Sequence, residues 1–234
     1  MKKLALILVV VPAALAAGAS PARATSECRG LPICVRVAGP WVVVPAVLRT
    51  PRPRVDYQLS CPRGYILGGL DAELSDRAID LGFLGMLGSP VNPGVTTLRS
   101  ALFGATYVGA TARAPTFRPH IGCIPAGGGS GPVPFKLAPT FPPGRPTVRR
   151  VRTVPLRPGT VRVVAACGAG ERLVSGWHAV GFYTAGRPSS ELIQSVVTTR
   201  AFRGPRVEVH VRVGAAIEGV RAIVQVGAVC GGGS

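Results

Sequence analysis

The chain has 234 residues and carries 27 Lys and Arg against 10 Asp and Glu, a net charge of +17, with 47% hydrophobic but only 6% aromatic residues. That length holds one large domain or two small ones. So few aromatics leave no stacking platform for nucleic acid, which is therefore not the expected partner.

Residues 1–24 read as a secretory signal. Met1-Lys2-Lys3 is cationic, Leu4 to Ala17 is apolar, and Ala22-Arg23-Ala24 has the small-x-small pattern of a cleavage site. The apolar run falls short of the roughly 20 residues of a spanning helix and is interrupted by Pro12. No later run is longer, so a chain secreted to the extracellular space or the cell envelope is expected, with no transmembrane segment. Cleavage after Ala24 leaves 24 basic residues against 10 acidic, with Lys136 the single lysine.

Residues 25–39 form an N-terminal segment with a candidate loop, Cys28-Arg29-Gly30-Leu31-Pro32-Ile33-Cys34. Residues 40–125 and 146–230 read as two β units, joined by a Gly- and Pro-rich linker at 126–145 and followed by a Gly-rich tail at 231–234. In the first unit Trp41 to Val44 is a strand-like apolar run. Residues 70–87 could hold a helical turn, which Gly82 and Gly85 keep short. Ser89-Pro90 and Asn92-Pro93-Gly94 are turn signals. In the second unit Val161 to Cys167 and Ala222 to Cys230 are near-continuous apolar runs, as in deeply buried strands. From Arg206 to Val213, valines alternate with polar residues, the period of a half-buried strand. Gly186-Arg187-Pro188 and Gly204-Pro205 mark turns between them. The fold class is all-β, with sandwich-like or barrel-like units.

The units share a pattern. CPRGYILGGL at 61–70 is answered by CGAGERLVSG at 167–176, and Val95-Thr96-Thr97-Leu98-Arg99 by Val197-Thr198-Thr199-Arg200. Cys123 follows Cys61 by 62 positions and Cys230 follows Cys167 by 63. An internal duplication accounts for this. Six cysteines can pair in many ways; the symmetry of spacing favours Cys61 with Cys123, Cys167 with Cys230, and Cys28 with Cys34, each long bridge tying the first strand of a unit to its last. Metal binding is the weaker reading, because no Cys-x-x-Cys occurs and export favours oxidation. Cys61-Pro62-Arg63-Gly64, Gly68-Gly69, Ser89-Pro90 and Cys123 resemble a repeat of uncharacterised secreted actinobacterial proteins. The second copy departs from it at Gly168 and Ser175. The resemblance implies export and disulfides and brings no activity.

Chemical motifs are sparse. No Gly-x-Ser-x-Gly occurs, and the GGGSG at 127–131 reads as linker. His120, His178 and His210 form no metal-binding pair, and no cofactor is expected. A secreted hydrolase is the alternative function, with His178 paired to one of Asp71, Glu73, Asp76 or Asp80 in a cleft between the units. Those acids match no calcium-loop spacing. The arginines say more. Arg149, Arg150, Arg152, Arg157 and Arg162 crowd one Pro-containing stretch, with Arg145 before them and a smaller set, Arg52, Arg54 and Arg63, in the first unit. Guanidinium forks recognise carboxylate and phosphate. The favoured expectation is a binding or envelope-associated module that uses those five arginines on an anionic cell-wall or extracellular polymer.

Overall fold

The computed structural model describes residues 25–47, 50–84, 99–110, 114–126 and 147–232. The expected signal at 1–24, the turn signals at 89–94, Val95 to Leu98, Arg145 and nearly all of the expected linker lie outside the described residues.

Strands dominate. The N-terminal segment supplies β1 (Val35–Ala38), and the first unit contains β2 (Trp41–Val43), β3 (Arg54–Ser60), β4 (Tyr65–Leu74), β5 (Ile79–Leu84), β6 (Ser100–Tyr107) and β7 (Thr116–Pro125). The second contains β8 (Thr147–Leu156), β9 (Gly159–Ala166), β10 (Arg172–Phe182), β11 (Val196–Arg203), β12 (Arg206–Val213) and β13 (Ala222–Gly231). The one α-helix among the described residues is α1 (Ser190–Gln194), capped by the Ser189 hydroxyl, which accepts the Leu192 N–H. No helix among them is long and apolar enough to cross a membrane.

Of the stretch 70–87, which could hold a helical turn, the described residues 70–84 form strands and a tight turn instead. β4 runs to Leu74, Asp76 accepts the Ala78 N–H in a tight turn, and β5 follows. Long-range pairing overrides the local pattern: Leu70 stands opposite Ile121 and Phe83 opposite Phe103.

Every pairing is antiparallel, in one seven-stranded and two three-stranded sheets. In the long sheet β7 is flanked by β4 on one side and by β1 and β2 on the other. β2 then pairs with β10, and the sheet continues through β13 to β8. The others are β3-β6-β5 and β11-β12-β9. Alternation along β13 sorts its side chains to two faces. Val224, Val226 and Ala228 pack with Val207, Val209 and Val211 of β12, while Ile223 joins the core built on Tyr57, Leu59 and Phe103. The long sheet is thus a middle layer, covered on opposite faces by the two small sheets. The run Val161 to Cys167, expected to be deeply buried, is half-buried: β9 is an outer strand with Val163 and Ala165 inward.

Strand pairing follows one order in both units. β7 lies between β4 and the β1–β2 pair as β13 lies between β10 and β8, and β6 lies between β3 and β5 as β12 lies between β9 and β11. Val35 and Leu67 stand opposite Cys123; Val148 and Leu173 stand opposite Cys230. The register then shifts at the same place in each, between Leu67 and Gly69 and between Leu173 and Ser175.

The disulfides are Cys28–Cys34, Cys61–Cys123 and Cys167–Cys230. The opening cysteine of each long bridge does not lie on the first strand of its unit. Cys61 follows β3 and Cys167 follows β9, the second strands, so each bond joins a small sheet to the long one. The short loop has its own role. The Glu27 carbonyl sits over Gly69 and Gly122, which face each other across β4 and β7; a β-carbon on either glycine would collide with it.

The units are more than tandem neighbours. Besides the β2–β10 pairing, the buried Gln225 amide bridges the layers. Its Oε1 accepts the Gln58 N–H at 2.7 Å, and its Nε2 donates to the Gln58 carbonyl at 3.0 Å and to Thr153 Oγ1 at 3.1 Å. One side-chain amide therefore acts as a strand neighbour for β3. Gln225→Leu keeps the volume but strips the Gln58 peptide of both partners, which costs about 2–3 kcal/mol. Urea unfolding followed by circular dichroism checks this: the midpoint falls with the slope unchanged.

Candidate functional site

Charged side chains gather on the outward face of β9-β12-β11. Period-two alternation turns Val207, Val209, Val211 and Val213 of β12 into the core and leaves Arg206, Glu208, His210 and Arg212 on the other side. Strand register completes the face. His210 stands between Arg162 of β9 and Thr199 of β11, Arg206 stands opposite Arg203, and Arg212 lies between Thr160 and Val197.

Glu208 is the hub of this face. Arg162 grips its carboxylate with both arms, Nε to Oε1 and Nη2 to Oε2, each at 2.7 Å. His210 Nε2 lies 2.6 Å from Oε1 and Arg203 Nε 3.8 Å from Oε2. The Arg162 and His210 hydrogen bonds hold the Glu208 carboxyl down at about 2, and the same carboxylate raises Arg162 above its usual value. The result is one sheet face on which Arg162, Arg203 and an imidazole meet the Glu208 carboxylate and Arg206 and Arg212 stand at the two ends of β12.

The five arginines selected from sequence do not share a surface. Alternation along β8 sends Arg149 to the opposite face from Arg150 and Arg152. Arg149 turns inward and donates to Gln58 Oε1 at 3.2 Å; burial lowers its pKa, partly offset by Asp56. Arg150 forks Glu171 at 2.9 and 2.6 Å, and that bond, helped by the Gly168 N–H, holds the Glu171 carboxyl below its ordinary value. Arg152 and Arg157 are exposed. Arg162 belongs to the β9-β12-β11 face. Arg203, Arg206 and Arg212 were missed, although the alternation that displays the last two and the Gly204-Pro205 turn that brings in Arg203 are both visible in the sequence.

The four acids proposed as partners of His178 stand apart from it. Asp71 of β4 lies opposite His120 and accepts the Ser26 N–H and hydroxyl at 2.6 and 3.0 Å. Burial raises the Asp71 carboxyl, but the bonds from Ser26 and Ala72 outweigh it and the net shift is downward. Glu73 Oε1 lies 2.8 Å from His120 Nε2, Asp76 caps the β4–β5 turn, and Asp80 is exposed on β5. His178 meets a hydroxyl instead, with its Nε2 2.9 Å from Thr198 Oγ1. Burial, with Arg200 close by, drives its pKa down to about 4, so the ring is neutral at pH 7. The pair lies on a cavity of about 300 Å³ between the units. Among the described residues no carboxylate lines that cavity, so the hydrolase arrangement lacks its acid.

Among the described residues, the group of His, Cys, Asp and Glu close enough to share a metal ion is Cys167, Glu171 and Cys230, and its sulfurs are already joined to each other. Comparisons with protein-family models, with curated proteins and with solved structures found no match to the chain.

Proposed function

We propose that the protein is a secreted, envelope-associated binding module, built by duplication of a β unit, that holds an anionic polymer on the outward face of β9-β12-β11. The observation that carries this reading is the display of Arg162, Arg203, Arg206 and Arg212 on one sheet face, with Arg162 and Arg203 drawn to the Glu208 carboxylate. Neighbouring strands set side chains roughly 5 Å apart, a spacing at which successive anionic groups of a polymer meet successive guanidiniums. Glu208 orients Arg162 and holds His210 beside it, leaving Arg206 and Arg212 to extend outward. The disulfides suit an oxidising compartment, and the matched pairing order supports duplication.

Arg206→Gln with Arg212→Gln removes two charges from exposed positions of β12 whose side chains leave the core untouched. The variant is expected to keep its thermal midpoint within about 2 °C, since exposed substitutions cost little. It elutes from an anionic cell-wall polymer column at much lower salt than the parent. Parent retention indifferent to salt would contradict the proposal, because screening erodes exposed ionic contacts.

A further inference from the structure

We infer that the cavity between the two units binds a small organic acid with an apolar body, its carboxylate received by Arg54 and Arg200. The cavity, about 300 Å³, stands at the small end of the range for ligand pockets. The first unit supplies Val43, Pro45, Val47 and the Pro53–Val55 stretch; the second supplies the rest from β10, α1 and β11. Its walls are mainly apolar, and the polar lining consists of Arg54, His178, Thr198 and Arg200 with no carboxylate. A cation finds no counter-charge there. A bare inorganic anion gains nothing from the valines and prolines. A molecule with one anionic end and an apolar remainder uses both parts of the wall.

Both guanidiniums are held in place. Arg54 Nε donates to Asp56 Oδ1 at 2.8 Å, and its head lies across Gly104, where any β-carbon would collide with it. Arg200 Nη1 donates to the Gly176 carbonyl at 3.1 Å and lies 5.3 Å from the centre of the Phe202 ring. Such positioning before binding lowers the ordering cost of ligand capture. The imidazole and the Thr198 hydroxyl, joined through Nε2, add a neutral polar point to the wall. The side chains of Thr198 and Arg200 project from the face of β11 opposite to Thr199 and Arg203, so this site is separate from the polymer face and does not rest on that reading.

The test is a calorimetric titration of the full disulfide-bonded chain with octanoate, alongside octanamide and inorganic phosphate. Octanoate is expected to bind saturably at one site per chain and to shift the His178 imidazole resonances, with octanamide and phosphate each at least about tenfold weaker. Arg200→Gln weakens octanoate by about tenfold or more and leaves octanamide unchanged; Arg54→Gln, on the other unit, gives the same pattern if the first variant does not fold. Arg206→Gln with Arg212→Gln leaves octanoate binding as in the parent. Absence of saturable octanoate binding, equal binding of octanamide or phosphate, or insensitivity to both cavity arginine substitutions overturns the assignment.

Discussion

Replacing Cys167 and Cys230 together by alanine is expected to lower the unfolding free energy by about 4 kcal/mol. The bond closes a loop of 63 residues and therefore removes much freedom from the unfolded chain. It also ties the end of β9 to the buried Cys230 of β13, joining the small sheet to the long one where no backbone ladder links them. Cys61 and Cys123 do the same in the first unit across 62 residues, and their removal has the same expected size. Cys28 and Cys34 close a separation of only 6, which the same entropy argument values at about 2 kcal/mol. Chemical unfolding of the three double variants checks the ranking. A long-bridge variant that loses less than the short-bridge variant would contradict the account of these bonds as layer staples.

Acidification is expected to produce the second large effect, through His178. The unfolded imidazole takes up a proton near 6.5, whereas burial delays protonation in the folded chain to about 4. Between those values the unfolded state binds more protons. Stability from this group is thus fully present above 6.5 and falls as the pH drops, by about 3 kcal/mol in total, levelling off below about 4. His178→Gln keeps a partner for Thr198 and carries no titrating ring. Its unfolding free energy should stay nearly flat from pH 6.5 to 4.5, where the parent declines. Glu208 acts in a lower window: its carboxyl sits at about 2, so its contribution is present above its ordinary value near 4.5 and disappears as the pH falls toward 2. Denaturant titrations of parent and variant at half-unit pH steps separate the two; parallel curves from 6.5 to 4.5 would remove His178 as the cause.

The features legible in the sequence are those that burial imposes locally. Arg206 to Val213 alternates because one face of β12 meets the core, and Ala222 to Cys230 is apolar except at Gln225 because β13 is covered on both faces. Cysteine spacing pointed to the long bridges because each closes one unit. What stayed hidden depends on distant partners. The β2–β10 pairing that fuses the units involves Trp41, Val42, Gly181 and Phe182, and nothing near either stretch announces the other. Residues 70–84 lie in a stretch that could locally hold a helical turn, and pairing with β7 and β6 makes them strands. At five residues, α1 is too short to show a period, although Ser189 followed by Glu191 marks its start. The candidate site divides in the same way. His178 was singled out, but its Thr198 partner comes from another sheet, and the β8 arginines were grouped by sequence proximity when alternation separates them.

Binding of a sulfated polysaccharide such as heparin to two triple variants, followed by calorimetry at low and moderate salt, tests the polymer face most directly. One variant replaces Arg203, Arg206 and Arg212 by glutamine; the other replaces Arg150, Arg152 and Arg157, removing the same charge from the stretch that the sequence emphasised. The proposal predicts that the first loses nearly all affinity and its salt dependence, while the second stays close to the parent. Equal losses in the two, or a greater loss in the second, would mean that net charge or the β8 edge, and not the β9-β12-β11 face, holds the polymer.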